Sequence, residues 1–394
     1  MNIRSSQTPY RVLHPITRLI VGGAQENTMY TAAMLNKERF YVEVLSGPQT
    51  GSEGSLIEEV RAHGVPLTIL PDLLRQVSPL HDLRALYQMV CFIRHGGFQI
   101  VHTHSSKAGI LGRMAARLAG VPVIVHTVHG WSFHDYMHPV VRHTYMLLEK
   151  WIASFTTALI VVSQRDIQKG LRAGIGAPDR YHLIRSAIPL DEFNPSRYDR
   201  RAIRRELGIP ADAVVIVNVG RFSQQKNPLD WVHVAGLVAR SRPGIYFLLV
   251  GDGPLRSNVE SALIQEDLVR RTTLTGLRRD SSRMMAAMDV FMLTSLWEGL
   301  PRVVPQAMAM GLPVLANHAD GIIEAVQDGI TGHLCEPGNV EQMAERCTYL
   351  IDYPEIRTEM GERCRQFAIQ EFDMNNMITQ IENLYNNILI RQSG

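Results

Sequence analysis

Short apolar runs alternate with amphipathic stretches along nearly the whole chain. In the first half the runs are residues 12–16, 40–45, 66–70, 100–103, 121–125 and 158–162. They are rich in β-branched residues and lack polar alternation, which suits strands buried on both faces. Between them apolar residues recur at helical spacing, as at Leu80, Leu83, Leu86, Val90 and Ile93. Strand and helix in strict alternation predict a parallel, doubly wound sheet. The pattern breaks at residues 188–200, where Pro189, Asn194 and Pro195 read as a linker. It then restarts with runs at 213–219, 245–250, 272–275, 290–293 and 313–316. Asn227 and Pro228 are suited to the cap and first position of one of the following helices.

The predicted architecture is therefore α/β, with two Rossmann-like parallel-sheet domains facing across a cleft. The first covers residues 1–188 and the second 189–372. A last amphipathic helix, 373–394, is expected to pack back on the first domain, with Met377, Ile381, Leu384 and Ile388 on one face. Loops at the carboxyl ends of parallel strands are where such domains bind ligands.

Composition sharpens this picture in three ways. With 394 residues, 45% apolar and 20% charged, the chain has material for two packed cores, and disorder is excluded as its main state. The formal charge of +2 averages two unlike halves. Residues 1–188 carry 19 Lys and Arg against 12 Asp and Glu, a net +7, and 12 of the 15 histidines; the remainder is −5. The cysteines Cys91, Cys335, Cys347 and Cys364 are too few and scattered for a disulfide scaffold, which suits a reducing compartment. No apolar run approaches 18 residues, and residues 1–10 lack a secretory apolar core, so a cytoplasmic protein is expected.

The chemistry-bearing residues follow the predicted strands. After the run 213–219 come Gly220, Arg221 and Lys226, a turn followed by two cations suited to phosphate oxygens. Gly251-Asp252-Gly253-Pro254 follows the next run, as tight-turn residues do. After the run 290–293 stands Glu298-Gly299-Leu300-Pro301. Its backbone amides suit an anion and its carboxylate suits hydroxyls. Pro301 and Pro305 require a helix that begins near Arg302, and Gln306 lies in the same helix.

These pieces together resemble glycosyltransferase family four, the retaining GT-B enzymes also called glycosyl transferases group one. Gly22-Gly23-Ala24-Gln25, Val128-His129-Gly130-Trp131, Gly220-Arg221 with Lys226, Gly251-Asp252-Gly253-Pro254, Thr275-Gly276-Leu277 and Glu298-Gly299-Leu300-Pro301 occur in the family's order and span most of the chain. The resemblance implies a hexosyltransferase that takes a nucleotide-diphosphate sugar, UDP-sugar first, and needs no metal or other cofactor. Arg221 and Lys226 would hold the diphosphate, with Gly22, Gly23 and Gly220 letting backbone approach it. Glu298 would bind sugar hydroxyls, and the Gly299 and Leu300 amides would support the sugar–phosphate junction. His129 would lie beside the reacting centre, and Leu277 would meet the base through its backbone. Two departures stand out. Gln306 replaces the family's usual second glutamate, which contacts the ribose. Arg185-Ser186-Ala187-Ile188 stands where many relatives carry Asn-Gly.

On the acceptor side the residues say less. His102 and His104 are candidates for acceptor contact, equally readable as polar groups at a strand end. The six histidines from His102 to His138 lack a cysteine or acidic partner, so no metal site is expected. The basic first domain suits a glycan or a lipid-diphosphate-linked acceptor in surface or exopolysaccharide biosynthesis, at the inner face of the membrane. Residues 141–155 read either as a peripheral membrane helix or, preferred, as a core-facing one. No basic run or nucleic-acid module points to nucleic acid. The rival functions are a sugar-nucleotide epimerase, a nicotinamide dehydrogenase (disfavoured by Gly22-Gly23 in place of Gly-x-Gly-x-x-Gly) and a non-catalytic nucleotide-sugar or lipid-binding protein.

Overall fold

The computed structural model describes residues 8–393 apart from Ser52. Two compact units divide the chain: unit 1 runs up to Ile184 and resumes at Asn375, and unit 2 is Arg185–Met374. These limits lie a few residues from the 188 and 372 read off the sequence. The reason is a local pairing: the Ile188 amide donates to the Phe372 carbonyl at 3.0 Å, and Ile188 bridges Asp373, so both chain crossings belong to unit 2.

Unit 1 holds seven strands: β1 (Tyr10–Ile16), β2 (Phe40–Ser46), β3 (Leu67–Ile69), β4 (Ile100–His104), β5 (Val123–Val128), β6 (Ala158–Val161) and β7 (Tyr181–Leu183). They form one parallel sheet in the order β3-β2-β1-β4-β5-β6-β7. Unit 2 repeats the plan with β8 (Val215–Val219), β9 (Tyr246–Val250), β10 (Thr272–Gly276), β11 (Val290–Leu293), β12 (Val314–Asn317) and β13 (Gly332–Cys335), in the order β10-β9-β8-β11-β12-β13. Both sheets are doubly wound, as the sequence predicts. Strands such as β5 and β11 are buried at every position, which is why their sequences show no polar alternation. In each sheet the strand order reverses once, between β1 and β4 and between β8 and β11. Such a reversal opens a crevice at the strands' carboxyl ends.

Three helices depart from expectation. In Met374–Ser393, which belongs with unit 1, Met377, Ile381 and Leu384 are buried, but Ile388 is only partly so and Leu389 is buried in its place. Tyr385 of this helix is fully buried, 5.6 Å ring to ring from Phe40. Asn227 precedes the helix Pro228–Ser241 but does not cap it: its φ is 46°, and its amide donates to Asp230 Oδ2 at 2.6 Å. Pro228 does occupy the first turn. The helix Pro139–Ala153 does not bury the single face read from the sequence. Tyr145, Ile152 and Phe155 turn inward, whereas Val141 and Leu148 are exposed. Val140 (67% exposed), Leu147 (55%) and Trp151 (53%) extend that outward apolar stripe. Among the described residues no helix is long and apolar enough to cross a membrane.

Candidate active site

Part of the predicted donor set of unit 2 meets at its switch point. β8 and β11 are neighbours, with Ile216 beside Val290 and Val217 beside Phe291. This register brings the loop after β8, with Gly220, Arg221 and Lys226, against the loop after β11, with Glu298, Gly299 and Leu300. Lys226 Nζ pairs directly with Glu298 Oε1. Gln225 Nε2 donates to the Trp297 carbonyl at 2.9 Å and to Glu298 Oε2 at 3.4 Å. The Leu296 amide donates to the Gln225 carbonyl at 2.8 Å. The Glu298 amide donates to Asp320 Oδ2 at 3.0 Å, so the carboxylate-bearing residue is fixed from three sides.

Side-chain amides inside the sheet hold the two loops in place. Asn218 Nδ2 donates to the Met292 carbonyl at 2.9 Å, tying β8 to β11. Asn317 Nδ2 donates to the Thr294 and Ser295 carbonyls at 2.9 and 3.3 Å, tying β12 to the start of the Glu298 loop. Thr294 Oγ1 in turn donates to the Lys226 and Asn227 carbonyls at 3.1 and 2.8 Å. None of Asn218, Gln225, Thr294, Asn317 and Asp320 was a candidate from sequence. Asn218 is the one with a local signal, a polar residue inside a buried apolar run.

Two glycines permit the loop after β9 to pack here. Gly251 has φ +147°, and a Cβ on it would lie 2.0 Å from the Gly220 carbonyl oxygen. Gly253 has φ +159°, with a Cβ 2.4 Å from the Phe222 carbonyl oxygen. Any side chain at either position would displace the backbone of the Arg221 loop.

The helix after Pro301 spans Val303–Ala309, as Pro301 and Pro305 require, and Gln306 is buried within it. Arg302 Nε donates to the Ala187 carbonyl at 3.0 Å, so the Arg185–Ile188 segment braces this loop although it lacks Asn-Gly. Arg185 itself pairs with Glu324 and Glu371, each at 3.5 Å. Leu277, past β10, is exposed. A cavity of about 380 Å³ lined by Asp289, Pro313 and Arg365 lies at the amino ends of β11 and β12, away from these groups.

In unit 1, Gly22 and Gly23 sit at the start of the helix Gly23–Met34, just past β1. His129 follows β5 and is half-buried, beside a small cavity lined by Ser105, His126, Gly130, Ser132 and Glu149. His102 and His104 are fully buried, which suits the second of their two readings, polar groups at a strand end, and leaves no surface contact for an acceptor. The fold instead joins them to a residue the sequence reading passed over, His14 of β1. His14 Nδ1 lies 2.9 Å from His104 Nε2, and His104 Nδ1 lies 3.2 Å from His129 Nε2. One ring nitrogen each of His14, His102 and His104 falls within 4.8 Å of the others. As a metal site this set fits poorly. Both nitrogens of His102 are engaged by hydroxyls, Tyr385 at 2.5 Å and Thr127 at 2.6 Å.

The fold and these loops define an enzyme built on paired Rossmann-like units, and the sequence relationships specify which. The chain belongs to the glycosyl transferases group 1, whose family model matches residues 199–367; the glycosyl transferase 4-like domain matches residues 22–187. It is a glycosyltransferase of the GT-B type. Over 396 aligned residues it is 30% identical to the Escherichia coli UDP-Gal:alpha-D-GlcNAc-diphosphoundecaprenol alpha-1,3-galactosyltransferase, covering 99% of this chain and all of that one. The putative glycosyltransferase EpsF of Bacillus subtilis is 28% identical, with 81% of this chain and 82% of EpsF covered. Among solved structures, Anabaena HepE in complex with UDP and glucose superposes with a TM-score of 0.83 at 22% identity, over 96% of this chain and all of that one.

Proposed function

We propose that this glycosyltransferase moves a hexose from a UDP-sugar to a sugar carried on a lipid diphosphate, with retained anomeric configuration and without a metal ion. The observation that carries the reading is the Lys226–Glu298 pair at the switch point of unit 2, with Arg221 in the same loop. In the free protein the cation and the carboxylate neutralise each other. A bound diphosphate takes over Lys226, and Glu298 is released to accept hydrogen bonds from the sugar hydroxyls. When the bond between the anomeric carbon and the β-phosphate oxygen breaks, negative charge grows on the diphosphate. Arg221 and Lys226 stabilise it there, the work that a metal ion does elsewhere. Gly299 and Leu300 support the sugar–phosphate junction, Gln306 the ribose and Leu277 the base. For unit 1 the resemblance assigns Gly22 and Gly23 to the donor phosphates and His129 to the reacting centre.

The acceptor class follows the Escherichia coli relative, whose name specifies a GlcNAc-diphosphoundecaprenol acceptor. A role in surface polysaccharide assembly at the inner face of the membrane follows from that chemistry. A thermal-shift panel of nucleotide-diphosphate sugars tests the donor site, because a bound donor stabilises by mass action. UDP-sugars should raise the melting temperature, and Arg221→Ala and Lys226→Ala should abolish the rise. An unchanged rise in both variants overturns the site. An epimer formed from donor alone would make the protein an epimerase.

Unit 1 also offers a face suited to a membrane. The helix Pro139–Ala153 shows solvent a stripe of Val140, Leu147 and Trp151, flanked by His143 and Lys150, on the unit that carries the basic excess. An anionic bilayer suits both the apolar and the charged part. Trp131 and Trp231 are buried and Trp297 is half-buried, so Trp151, the most exposed of the four, is best placed to report the contact. Anionic vesicles should blue-shift its emission, and Leu147→Ser with Trp151→Ser should prevent flotation. Equal binding to neutral and anionic vesicles, or self-association in place of flotation, would refute the membrane face.

A further inference from the structure

His129, His104 and His14 form a chain of ring-to-ring contacts that runs from a half-buried loop into the sheet. Burial keeps the inner rings uncharged: the His14 pKa is pushed down to about 3, and that of His104 falls well below its usual value through burial and the neighbouring histidines. A neutral imidazole carries one N–H and one lone pair. When the half-buried His129 is neutral as well, two hydrogen bonds among the three rings can be made in only two ways. Either every ring holds its proton on Nδ1 and donation runs from His14 to His104 to His129, or every ring holds it on Nε2 and donation runs the other way.

The end of the chain decides between them. His14 Nε2 is buried and has no hydrogen-bond partner. Donation toward His14 would leave an N–H there with no acceptor. Donation away from His14 leaves only a lone pair. Orphaned buried donors are rarer than under-satisfied acceptors. We propose that His14 and His104 are positioning residues that hold His129 in its Nδ1–H tautomer, so that His129 presents a hydrogen-bond donor, not a base, to a substrate oxygen. The consequence for catalysis rests on the reading above that His129 stands at the reacting centre; the tautomer itself does not.

The test is long-range ¹⁵N–¹H correlation of imidazole-labelled protein, which reads each ring's tautomer without any substrate. In the unaltered protein His14, His104 and His129 should all show the Nδ1–H form; an Nε2–H form at His129 overturns the proposal. His14→Leu removes the donor that sets the direction. His129 should then lose its single tautomer, and kcat should drop on the order of 10-fold with the donor KM unchanged, as when partners that orient other functional histidines are lost. His14→Asn, whose amide nitrogen can take the place of Nδ1, should restore both. A His14→Leu protein that keeps the tautomer and kcat overturns the positioning role. If His14→Leu does not fold, the unaltered protein and His14→Asn still decide. A wrong functional reading would show differently, as a missing thermal shift with UDP-sugars beside an intact tautomer pattern.

Discussion

The two units share one topology but stabilise corresponding strand ends with different chemistry. In unit 2 the polar groups at the ends of β8 and β12 are amides: Asn218 donates to the backbone of β11, and Asn317 to the loop just past it. In unit 1 the corresponding strands β1 and β5, and β4 between them, carry imidazoles: His14, His126, His102 and His104. An amide does not titrate, so these ties of the loops that hold Arg221, Lys226 and Glu298 do not change with pH. An imidazole can donate or accept according to its tautomer, and burial makes its charging costly. The unit proposed to bind the donor thus has a fixed frame, and the other has one sensitive to protons.

The largest expected effect comes from the deepest charge in unit 1. Arg113 Nη2 donates to Glu149 Oε2 at 2.7 Å, and Glu149 is 2% exposed. Arg113→Met strands that carboxylate and should cost about 3–5 kcal/mol, while the double variant with Glu149→Leu should recover much of the loss. Hydrogen exchange resolved by peptide reads unit 1 separately from unit 2. Protection lost equally in both units would show that they do not behave as separate bodies. The buried arginine of unit 2 is less exposed to this failure. Asp289 bonds Arg204 and Arg200, each at 2.7 Å, and the Val215 amide at 2.8 Å, so it keeps partners when Arg204 is removed.

Acid should separate the units next. The pKa values of His14, His102, His104 and His126 are lowered, chiefly by burial. Between the unfolded value near 6.5 and the depressed folded value, the unfolded chain binds more protons, so stability falls as pH falls. The histidine contribution is fully present above pH 6.5 and declines below it, for His14 down to about pH 3. At about 1.4 kcal/mol per pH unit, each ring costs up to roughly 2 kcal/mol by pH 5. Exchange protection should drop in unit 1 well before unit 2, where His333 is shifted in the same direction but more mildly. Simultaneous loss in both would show that the buried histidines do not set the acid response of unit 1.

What could be read from sequence divides by the range of the signal and not by unit. Eleven strands were legible, most of them because a parallel strand buried on both faces shows it in composition alone; β3 and β10, half-buried at the sheet edges, were legible from their β-branched residues. The two that were missed, β7 and β13, are short edge strands interrupted by His182 and His333. Gly220, Arg221, Lys226 and Glu298 were legible because they are local, each just past a strand. Gln225, Asp320 and Asn317 act through partners 22 to 73 positions away, which no local pattern carries. His14 did leave a trace, a lone histidine within Val12-Leu13-His14-Pro15-Ile16, but its partner is 90 positions on. Asn227 looked like a cap and is not one, because its left-handed backbone turns the amide toward Asp230 instead.

The smallest effect belongs to Gln306, and it asks whether the fixed frame of unit 2 extends to the ribose. A glutamine can bond ribose hydroxyls through its amide, but without the gain that a carboxylate brings. Hydrogen bonds to charged groups exceed neutral ones by about 1 kcal/mol, or roughly 5-fold in binding. Gln306→Glu should therefore lower the donor KM by about that factor and leave kcat within about 2-fold, since an interaction made equally in ground and transition state does not change the chemical step. Gln306 is buried in the helix Val303–Ala309, so part of the gain is offset by desolvating the new charge. Steady-state kinetics over a donor series separates the outcomes. If kcat fell 10-fold or more at constant KM, residue 306 would be acting on the reacting bond and not on the ribose. The assignment of charge stabilisation to Arg221 and Lys226 alone would then need to be redrawn.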